Sequence, residues 1–381
     1  MRLLVFSHVE VDFSARTVCN LGFKQIILNY LKFWDEVILV GPTKHHKSFV
    51  ISSDVPGLTL VGLKGTNRSL LDKASHYLIG AIRKYKFLIN HGILKDVSLI
   101  QFRYPSIYTY SLARHIVSKR QNVVFYIAAD GVEAVRYNYP YLTWAAKLLE
   151  MMEIATLKGQ KVVTTGPVLA RKYSKYSQTH AYFSTTHNKV EKRKPRESFS
   201  NFIYVGTLEK RKRVIDLIRA IHILYNDGHD IQCRIVGEGS TRPSLERFVV
   251  ANDLSSIISF EGYVSDTEQL EQFYLEADFL VLPSLAEGTP RVLPEAMSFG
   301  VIPFASKGVA SNDYIIKEGH NGFLFQPKNP QAIANKISMV LQDRALYVHC
   351  LNGVFQYASQ HTIDKELAKM WKFYLNNKQV L

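Results

Sequence analysis

Two kinds of apolar pattern alternate along the chain. Short, nearly continuous apolar runs predict five strands in the first half, at Leu3–Ser7, Glu36–Val40, Val97–Phe102, Val123–Ala128 and Lys161–Thr164. Between them, apolar residues recur at helical spacing and predict helices at Leu21–Trp34, Ser69–His91, Tyr108–Lys119 and Thr143–Leu157. Because strands and helices alternate, we expect an α/β fold with a doubly wound parallel sheet.

A second alternating series begins at Asn201. It follows a polar, charged, proline-containing stretch at residues 188–198, which is typical of a linker. We therefore predict a Rossmann-like domain at residues 1–187, a linker at 188–200, a second Rossmann-like domain at 201–360 and a last helical segment at 361–381. Two such domains are expected to face a cleft, where open α/β sheets bind ligands.

Composition fits two globular domains and excludes several other classes. Of 381 residues, 47% are hydrophobic. No stretch approaches about eighteen uninterrupted apolar residues, and the N-terminus becomes polar too early for a signal peptide. Cys19, Cys233 and Cys350 are widely spaced, and neither they nor His45-His46 show a metal-ligand pattern. We expect a cytoplasmic protein with reduced thiols and no metal.

The net charge of +14 is concentrated in one half of the chain. Residues 1–200 hold 29 Lys and Arg against 13 Asp and Glu, whereas residues 201–381 hold 18 against 20. A basic half is typical of contact with nucleic acid, a membrane surface or an anionic substrate. The stretch Ser69–Leu94 predicts a basic helix with a wide apolar face, which suits an anionic membrane. The alternative is that this face packs on the core while the charges are solvated; with the charge asymmetry, we favour the membrane.

Candidate chemistry is concentrated in one stretch of the second half. The apolar run Phe279–Ser284 predicts a buried strand that ends at a cleft, and Arg291–Phe299 predicts a helix. Two carboxylates, Glu287 and Glu295, lie eight positions apart across the loop and the start of the helix. A helix N-terminus with free N–H groups stabilises phosphate, while carboxylates accept hydrogen bonds from sugar and ribose hydroxyls. The pattern therefore suits a sugar nucleotide.

This stretch resembles the E-x7-E motif of the retaining glycosyltransferases of family 4, which have the GT-B fold. Four ordered segments over roughly the C-terminal half also resemble the family, at Phe202–Ile221, Cys233–Val249, Ile258–Ser284 and Ile315–Pro327. The resemblance implies two Rossmann-like domains and a C-terminal helix that crosses back to the first domain. Trp371 is the expected anchor of that return, and packing within the second domain is the alternative.

The resemblance also implies a donor site on the second domain for a nucleoside diphosphate sugar, with no cofactor or metal. It implies that Glu287 holds sugar hydroxyls, Glu295 holds the ribose and Lys212 contacts phosphate. Neither glutamate is expected to be a nucleophile, because the family reacts on one face of the sugar and the leaving phosphate helps to deprotonate the acceptor. The other implied donor-site residues are Gly206, Thr207, Arg211, Gly237, Glu238, Gly239, Tyr263, Val264, Gly288, Thr289, Pro290 and the backbone N–H groups of Arg291, Val292 and Leu293.

Each of these residues also has a plainer structural interpretation. Glu287 is then a solvated loop carboxylate, Glu295 an early-helix charge and Lys212 a solvated lysine in a first helical turn. Gly237–Gly239 is then a strand-to-helix turn, and Tyr263 a core residue at a strand end. Spacing alone favours these interpretations, whereas the four ordered segments favour the site.

The donor loop departs from the family at Thr207, which follows Gly206 where the family usually has arginine. Either Lys210, Arg211 or Arg213 reaches the phosphates instead, or diphosphate binding is weaker.

In the first half, Asp130 stands where many relatives have a histidine. As a catalytic residue it would hold a sugar hydroxyl, and as an Asp before Gly131 it would be a turn residue; both interpretations stay open. The family's glycine-rich first loop is missing, since residues 8–20 contain no glycine. Arg103 and Tyr104 follow a predicted strand, and we favour a structural role for them over one facing the cleft.

We therefore expect a retaining hexosyltransferase that moves a sugar from a nucleoside diphosphate to a glycan acceptor. The acceptor is expected to be lipid-linked, in bacterial surface polysaccharide or lipopolysaccharide synthesis, with the enzyme peripheral on the inner face of the cytoplasmic membrane. One alternative keeps the fold as a phosphorylase or epimerase, whose signature residues we do not find. Others are a nucleic-acid-binding protein, which we do not expect, and an inactive donor-binding partner of another transferase.

Overall fold

The computed structural model describes residues 1–12, 14–18, 21–43, 47–64, 80–106, 110–120, 122–287 and 289–375. The chain divides into two compact units. The first consists of Met1–Tyr182 together with residues 367–375, and the second is Phe183–Glu366. The predictions at Cys19, His45-His46, residues 65–79, Tyr108 and Gly288 lie outside the described residues.

The first unit is built on an eight-stranded sheet in the order β10-β9-β8-β7-β1-β4-β6-β5. All neighbouring strands are parallel except β5, which is antiparallel to β6 at the edge. A small antiparallel pair, β2 and β3, forms a separate sheet, and β2 contacts β4 and β6. The strands are β1 (Arg2–Phe6), β2 (Val11–Asp12), β3 (Thr17–Val18), β4 (Glu36–Thr43), β5 (Phe49–Ser52), β6 (Leu58–Lys64), β7 (Leu99–Tyr104), β8 (Val123–Ile127), β9 (Lys161–Thr165) and β10 (Gln178–Tyr182).

Helices cover this sheet because its central strands are apolar on both faces. The described helices are α1 (Leu21–Tyr30), α2 (Ala81–Asn90), α3 (Tyr110–Val117), α4 (Gly131–Asn138), α5 (Thr143–Leu157) and α6 (Pro167–Tyr173), with a 3₁₀ turn at Pro140–Leu142. One core includes Phe102 and Phe125 of the sheet, Leu88 of α2 and Ile116 of α3.

The second unit has a six-stranded parallel sheet in the order β13-β12-β11-β14-β15-β16. Its strands are β11 (Asn201–Val205), β12 (Gln232–Val236), β13 (Ile258–Gly262), β14 (Phe279–Leu282), β15 (Ile302–Ser306) and β16 (Phe323–Phe325). Its helices are α7 (Val214–Asn226), α8 (Arg242–Ala251), α9 (Thr267–Glu276), α10 (Val292–Ser298), α11 (Asn312–Ile315), α12 (Pro330–Leu341) and α13 (Arg344–Gln360), and a 3₁₀ turn at Lys210–Lys212 precedes α7.

The last helix, α14 (Ile363–Leu375), begins in the second unit and ends in the first. Trp371 is fully buried, and its ring contacts those of Tyr30 and Trp34 edge-on at 4.9 and 5.3 Å. The Tyr374 hydroxyl donates to the Phe125 carbonyl at 2.7 Å. The return of this helix to the first unit is therefore as the family resemblance implied, and the alternative of packing within the second unit is wrong for Trp371.

The five predicted first-half strands are confirmed, with ends that move by at most three residues, and the helix at Thr143–Leu157 is confirmed without change. The predicted helix at Leu21–Trp34 is too long: it ends at Tyr30, and residues 31–33 close a tightened turn through bonds such as Phe33 N–H to the Tyr30 carbonyl at 3.0 Å. Missing from the prediction were β2, β3, β5, β6, β10, α4 and α6, most of which are too short to show a clear period.

The segment predicted as a linker has no regular secondary structure, but it packs on the second unit. Arg193 and Arg196 lie 3.6 and 3.2 Å from the fully buried carboxylate of Asp278, and the Phe199 ring stacks on Tyr347 at 4.0 Å. These contacts fasten residues 193–199 to the amino-terminal side of β14.

Candidate functional site

The topological switch point of the second sheet lies between β11 and β14, because the chain continues outward on one side through β12 and β13 and on the other through β15 and β16. Ligands of open α/β sheets bind at the carboxyl ends of strands at such a point. The loops that leave β11 and β14 there are the ones that carry Lys212 and Glu287.

Lys212 and Glu287 form an ion pair across the switch point. The Lys212 ammonium donates to both carboxylate oxygens of Glu287, at 2.6 and 2.8 Å, and the Ser284 hydroxyl donates to Oε1 at 2.6 Å. The side chains of Lys212 and Glu287 are only 13% and 9% exposed. A carboxylate held by three charge-assisted bonds has a fixed orientation, so Glu287 can accept further hydrogen bonds without rearranging. The solvated interpretations of Lys212 and Glu287 are therefore wrong.

Backbone and side-chain bonds also join the two loops. The Leu285 N–H donates to the Arg211 carbonyl at 2.8 Å, and an Arg211 Nη1–H donates to the Ala286 carbonyl at 3.2 Å, while its Nε–H donates to Glu209 at 2.8 Å. Lys212 lies in the 3₁₀ turn before α7 rather than in the first turn of that helix, which corrects its predicted place. The two loops form one connected structure around the ion pair.

Two of the residues proposed to replace the missing arginine at Thr207 have partners already. Arg213 makes a bidentate pair with the buried Asp216, at 2.8 and 2.6 Å, and Arg211 is held by Glu209 and Ala286. Lys210 is exposed, as is Thr207. Lys212 is therefore the most enclosed cation of this loop.

Gly237 and Gly239 let a third loop approach the first. A Cβ on Gly237, whose φ is +138°, would lie 1.9 Å from the Gly206 carbonyl oxygen, and one on Gly239 would lie 2.4 Å from that of Leu208. The Leu208 N–H donates to the Glu238 carbonyl at 2.8 Å. These glycines therefore allow the loops after β11 and β12 to come into backbone contact. A simple strand-to-helix turn would not require this contact.

Glu295 lies in the first turn of α10, where it was predicted. Its Oε2 accepts from the Thr186 hydroxyl at 3.2 Å. Burial raises the pKa of its carboxyl, against the lowering effect of the Thr186 hydrogen bond and the Arg291 charge. A carboxylate that is desolvated and only partly satisfied is suited to accept the hydroxyls of a ribose.

The backbone donors at the start of α10 are partly occupied. The Arg291 N–H donates to the Thr289 carbonyl at 2.9 Å and the Leu293 N–H to the Pro290 carbonyl at 3.1 Å, which corrects the expectation that both face a diphosphate. The third N–H group that was predicted to face the diphosphate is that of Val292.

Around the same edge, Tyr263 is 75% exposed, so its interpretation as a core residue is wrong. Val264 packs partly on the core, and Glu238 is ion-paired with Arg242.

The first unit has a carboxylate cluster at Asp130. One oxygen of Asp130 caps α4 by accepting from the Val132 and Glu133 N–H groups at 3.0 and 3.1 Å, and the other is 2.7 Å from the Lys172 ammonium. Lys172 also pairs with Glu150 on α5. The two oxygens of Asp130 are thus used in helix capping and in an ion pair. These structural roles account for Asp130 without a bound sugar hydroxyl.

Several partners in these clusters carry no local signal in the sequence. Thr186, Lys172 and Glu150 are separated from their partners by between 22 and 109 positions. Only Ser284 carried a local signal, since it stands three residues before Glu287 where the strand ends.

Among the described residues, no group of three or more His, Cys, Asp and Glu side chains has the geometry to hold a metal ion. In the same part of the chain, no helix is both long and apolar enough to cross a membrane.

Comparison with known proteins agrees with this geometry. Residues 186–353, which lie within the second unit, match the family described as Glycosyl transferases group 1. An uncharacterized glycosyltransferase of Methanocaldococcus jannaschii is 31% identical over 45% of this chain and 44% of its own length. Protein CapJ of Staphylococcus aureus is 25% identical over 86% of this chain and 83% of its own.

A third relative is the GalNAc-alpha-(1->4)-GalNAc-alpha-(1->3)-diNAcBac-PP-undecaprenol alpha-1,4-N-acetyl-D-galactosaminyltransferase of Campylobacter jejuni, 30% identical over 42% of this chain. That alignment and the one with the Methanocaldococcus protein each span only 44% of the relative.

Solved structures show the fold of the whole chain. Sucrose-phosphate synthase from Thermosynechococcus elongatus superposes with a TM-score of 0.72 at 18% identity, covering 98% of both chains. The lipopolysaccharide outer core galactosyltransferase WaaB superposes with a TM-score of 0.72 at 13% identity, covering 99% of both. The protein has the α/β GT-B fold that the sequence predicted.

Proposed function

We propose that this protein is a retaining glycosyltransferase that moves a hexosyl group from a nucleoside diphosphate sugar to a glycan acceptor. The observation that carries the proposal is the enclosed ion pair of Lys212 and Glu287 at the switch point of the second sheet. It lies within the residues that match the group 1 glycosyltransferases. An ammonium and a fixed carboxylate at one point suit a ligand that carries phosphate and hydroxyl groups together.

In the proposed reaction, Lys212 stabilises the charge that develops on the departing diphosphate, and Glu287 holds the donor sugar. The bond from the anomeric carbon to the diphosphate oxygen breaks while the acceptor oxygen attacks from the same face. The acceptor proton passes to the leaving phosphate. Glu287 is suited to hold the donor sugar rather than to attack it, because a carboxylate that is ion-paired at 2.6 Å is a poor nucleophile.

A thermal-shift screen tests donor binding. A ligand that binds only the folded protein raises its melting temperature, so one of UDP, GDP, ADP, CMP or their sugar conjugates should give a clear shift. Glu295→Gln should weaken that binding about tenfold while the ligand-free melting temperature changes little, since one charged hydrogen bond to a ribose is lost. Asp266→Asn, at the cap of α9, is a control charge removal in the same unit.

No shift with any nucleotide would contradict the proposal and favour an inactive GT-B protein, given Thr207. Normal affinity in Glu295→Gln would remove Glu295 from the ribose site.

We further propose that the acceptor is lipid-linked, as the substrate named for the Campylobacter jejuni relative is, and that the first unit meets an anionic membrane in bacterial surface polysaccharide synthesis. The support is an exposed apolar strip on α5. Trp144, Leu148 and Met151 recur at helical spacing and are 68%, 52% and 67% exposed, and Tyr141 precedes them at 72%. Contiguous exposed apolar surface with Trp and Tyr suits a membrane interface.

The neighbouring helices add positive charge to this surface. α3 packs against both α2 and α5. On α2, Ile82 and Ile89 are exposed together with Arg83 and Lys86, whereas Lys84 is buried and desolvation lowers the pKa of its amine to about 8. The described part of the predicted basic helix therefore packs one face on the core, as the alternative interpretation held, and presents a mixed apolar and basic face outward.

Vesicle co-sedimentation tests the membrane proposal. The protein should bind vesicles that contain anionic lipid and lose binding at high salt, because the basic residues act within a Debye length. Trp144→Ser should weaken partitioning about 5- to 30-fold, for the loss of about 1–2 kcal/mol of apolar burial. Val250→Ser, equally exposed on the second unit at 68%, is the matched control. Equal loss in both variants, or binding without anionic lipid, would contradict the proposal.

A further inference from the structure

The first sheet has a switch point of its own. The chain leaves β1 outward through β4 and β6 on one side, while β7, β8, β9 and β10 follow on the other, so the reversal lies between β1 and β7. The carboxyl ends of these two strands are neighbours, with Phe6 opposite Phe102. The equivalent position in the second sheet holds the ion pair of Lys212 and Glu287. Here too, the carboxyl edge at the reversal is where a ligand group is expected.

Arg103 is the charged residue at this point. It stands near the end of β7 and is only 7% exposed. Its guanidinium carbon lies 5.0 Å from the centre of the Phe23 ring and 4.1 Å from that of Tyr126, and its Nη1–H donates to the Tyr30 hydroxyl at 3.2 Å. The two rings and the hydroxyl hold the planar group in one orientation.

The charge of Arg103 has no counter-ion in the part of the chain that the structure describes: no carboxylate of those residues lies within ion-pair distance. Aromatic faces and one hydroxyl compensate a buried guanidinium only in part. Of its five N–H donors, the bond to Tyr30 uses one. Buried arginines with spare donors bind phosphate and carboxylate groups in a bidentate manner.

His8 stands two residues beyond Phe6, the last residue of β1, and Phe6 pairs with Phe102, which directly precedes Arg103. The residue is accessible to solvent at the sheet edge, but its imidazole is partly buried. Desolvation of its imidazole lowers the pKa of His8, and the positive charge of Arg103 lowers it further. Its ring is therefore mostly neutral near pH 7, which leaves it one N–H donor beside a permanent positive charge.

We propose that Arg103 and His8 bind an anionic group, a phosphate or a carboxylate, of the molecule that receives the sugar. The assignment to the acceptor rests on the proposed transferase function, whereas the anion site itself does not. A diphosphate of a lipid carrier and a carboxylate of an acidic glycan each present two neighbouring oxygen acceptors to the paired N–H donors of an arginine. The basic composition of residues 1–200 favours the approach of either one.

The site can be tested through His8 itself, because a bound anion must oppose the effect of Arg103. The pKa of His8 is measured by NMR of the imidazole in histidine-labelled protein, and His8→Gln identifies its signal. The probes are inorganic pyrophosphate and glucuronate, each compared with chloride at equal ionic strength. Either probe should raise the pKa of His8.

Arg103→Gln should raise the pKa of His8 without any probe and weaken the probe response at least tenfold. Arg103→Lys keeps the charge but loses the fork, so it should retain the low pKa of His8 and lose most of the response. If Arg103→Gln does not fold, the lysine variant and the unmodified protein decide. Arg114→Gln, an exposed charge removal on α3, should respond like the unmodified protein.

A response to pyrophosphate alone identifies a phosphate-bearing acceptor, and a response to glucuronate alone identifies an acidic glycan; a response to both supports the shared chemistry. No response of His8 to either probe, or an undiminished response in Arg103→Gln, overturns the proposal. Donor binding is measured on the same samples by thermal shift. A donor shift with a silent His8 rejects the anion site alone, whereas a responsive His8 without any donor shift rejects the transferase function alone.

Discussion

Among the described residues, Lys212 of the second unit and Lys172 of the first are each ion-paired near the carboxyl edge of their sheet, but the balance of charge differs. In the second unit, Lys212 faces Glu287 alone, and both loops come directly from the switch-point strands β11 and β14. In the first unit, Lys172 faces Asp130 and Glu150, with Glu153 close to both. That cluster joins α4, α5 and α6, away from the switch point. An ion pair alone is therefore no basis for proposing a site; the proposal for Lys212 and Glu287 rests on the place of the pair in the sheet and on its balance of charge.

The three carboxylates of this cluster outnumber its one lysine, and this imbalance affects their protonation. Burial and then the Glu150 charge raise the pKa of Glu153 to about 7. Although desolvation lowers the pKa of Lys172, its hydrogen bonds to Asp130 and Glu150 raise it overall. Lys172 thus stays charged while the carboxylates around it compete for one cation.

The largest effect that separates the two clusters is expected for Lys212→Ala. Turnover should fall about 10- to 150-fold, because the departing diphosphate loses a charge-assisted contact of about 1.5–3 kcal/mol. Stability should fall as well, since Glu287 is left buried without its partner. Steady-state kinetics and thermal melting measure the two losses.

The double variant Lys212→Ala with Glu287→Gln separates these losses. It should recover stability but not turnover, while Lys210→Ala, an exposed neighbour, should change neither. Unchanged turnover in Lys212→Ala would show that other basic residues hold the phosphates.

In contrast to Lys212→Ala, Lys172→Ala should lower stability without affecting donor binding. Three carboxylates lose their common cation, which should cost about 1–3 kcal/mol at pH 8 after allowance for the partial exposure of the pair. The loss should be smaller at pH 5, where Glu153 is protonated. Melting temperatures at both pH values measure it, with Lys175→Ala as the exposed control. A loss of donor affinity at unchanged stability would make this cluster part of the site.

The remaining effect, expected for Glu153→Gln, should be stabilising. The native state holds a proton on Glu153 up to a pKa of about 7, whereas the unfolded chain releases it near its ordinary value of 4.5. Stability of the native protein therefore falls as pH rises through that window. The glutamine variant should lose this slope, gain up to about 3 kcal/mol at pH 8 and nearly match the native protein at pH 4.5. An unchanged slope of melting temperature against pH would assign the titration to another group.

Much of the fold was predictable because central parallel strands are buried on both faces and read as apolar runs. Phe279–Leu282 and Val123–Ile127 are such strands. The strands β5 and β6 were not predictable on this basis. β5 has four residues and lies at the edge, and β6 contains Gly62, whose missing side chain leaves room for the Phe49 ring.

The site was predictable only where its residues share one loop or one motif. Glu287 and Glu295 belong to a single pattern in the sequence, and Lys212 precedes its helix. The pairing of Lys212 with Glu287 spans 75 positions, and the neighbourhood of Arg103, Phe23 and Tyr30 combines a strand with a helix that covers it. Such contacts follow from tertiary packing, which local periodicity does not record.

The burial of Trp371 and Tyr374 in the first unit sets an order for folding on the ribosome. Tyr30 and Trp34 are made early, but the side chains that complete their packing emerge only after the whole second unit has been translated. The nascent first unit must therefore keep an apolar surface uncovered throughout that interval, and chaperones that bind exposed aromatic residues have their natural target there.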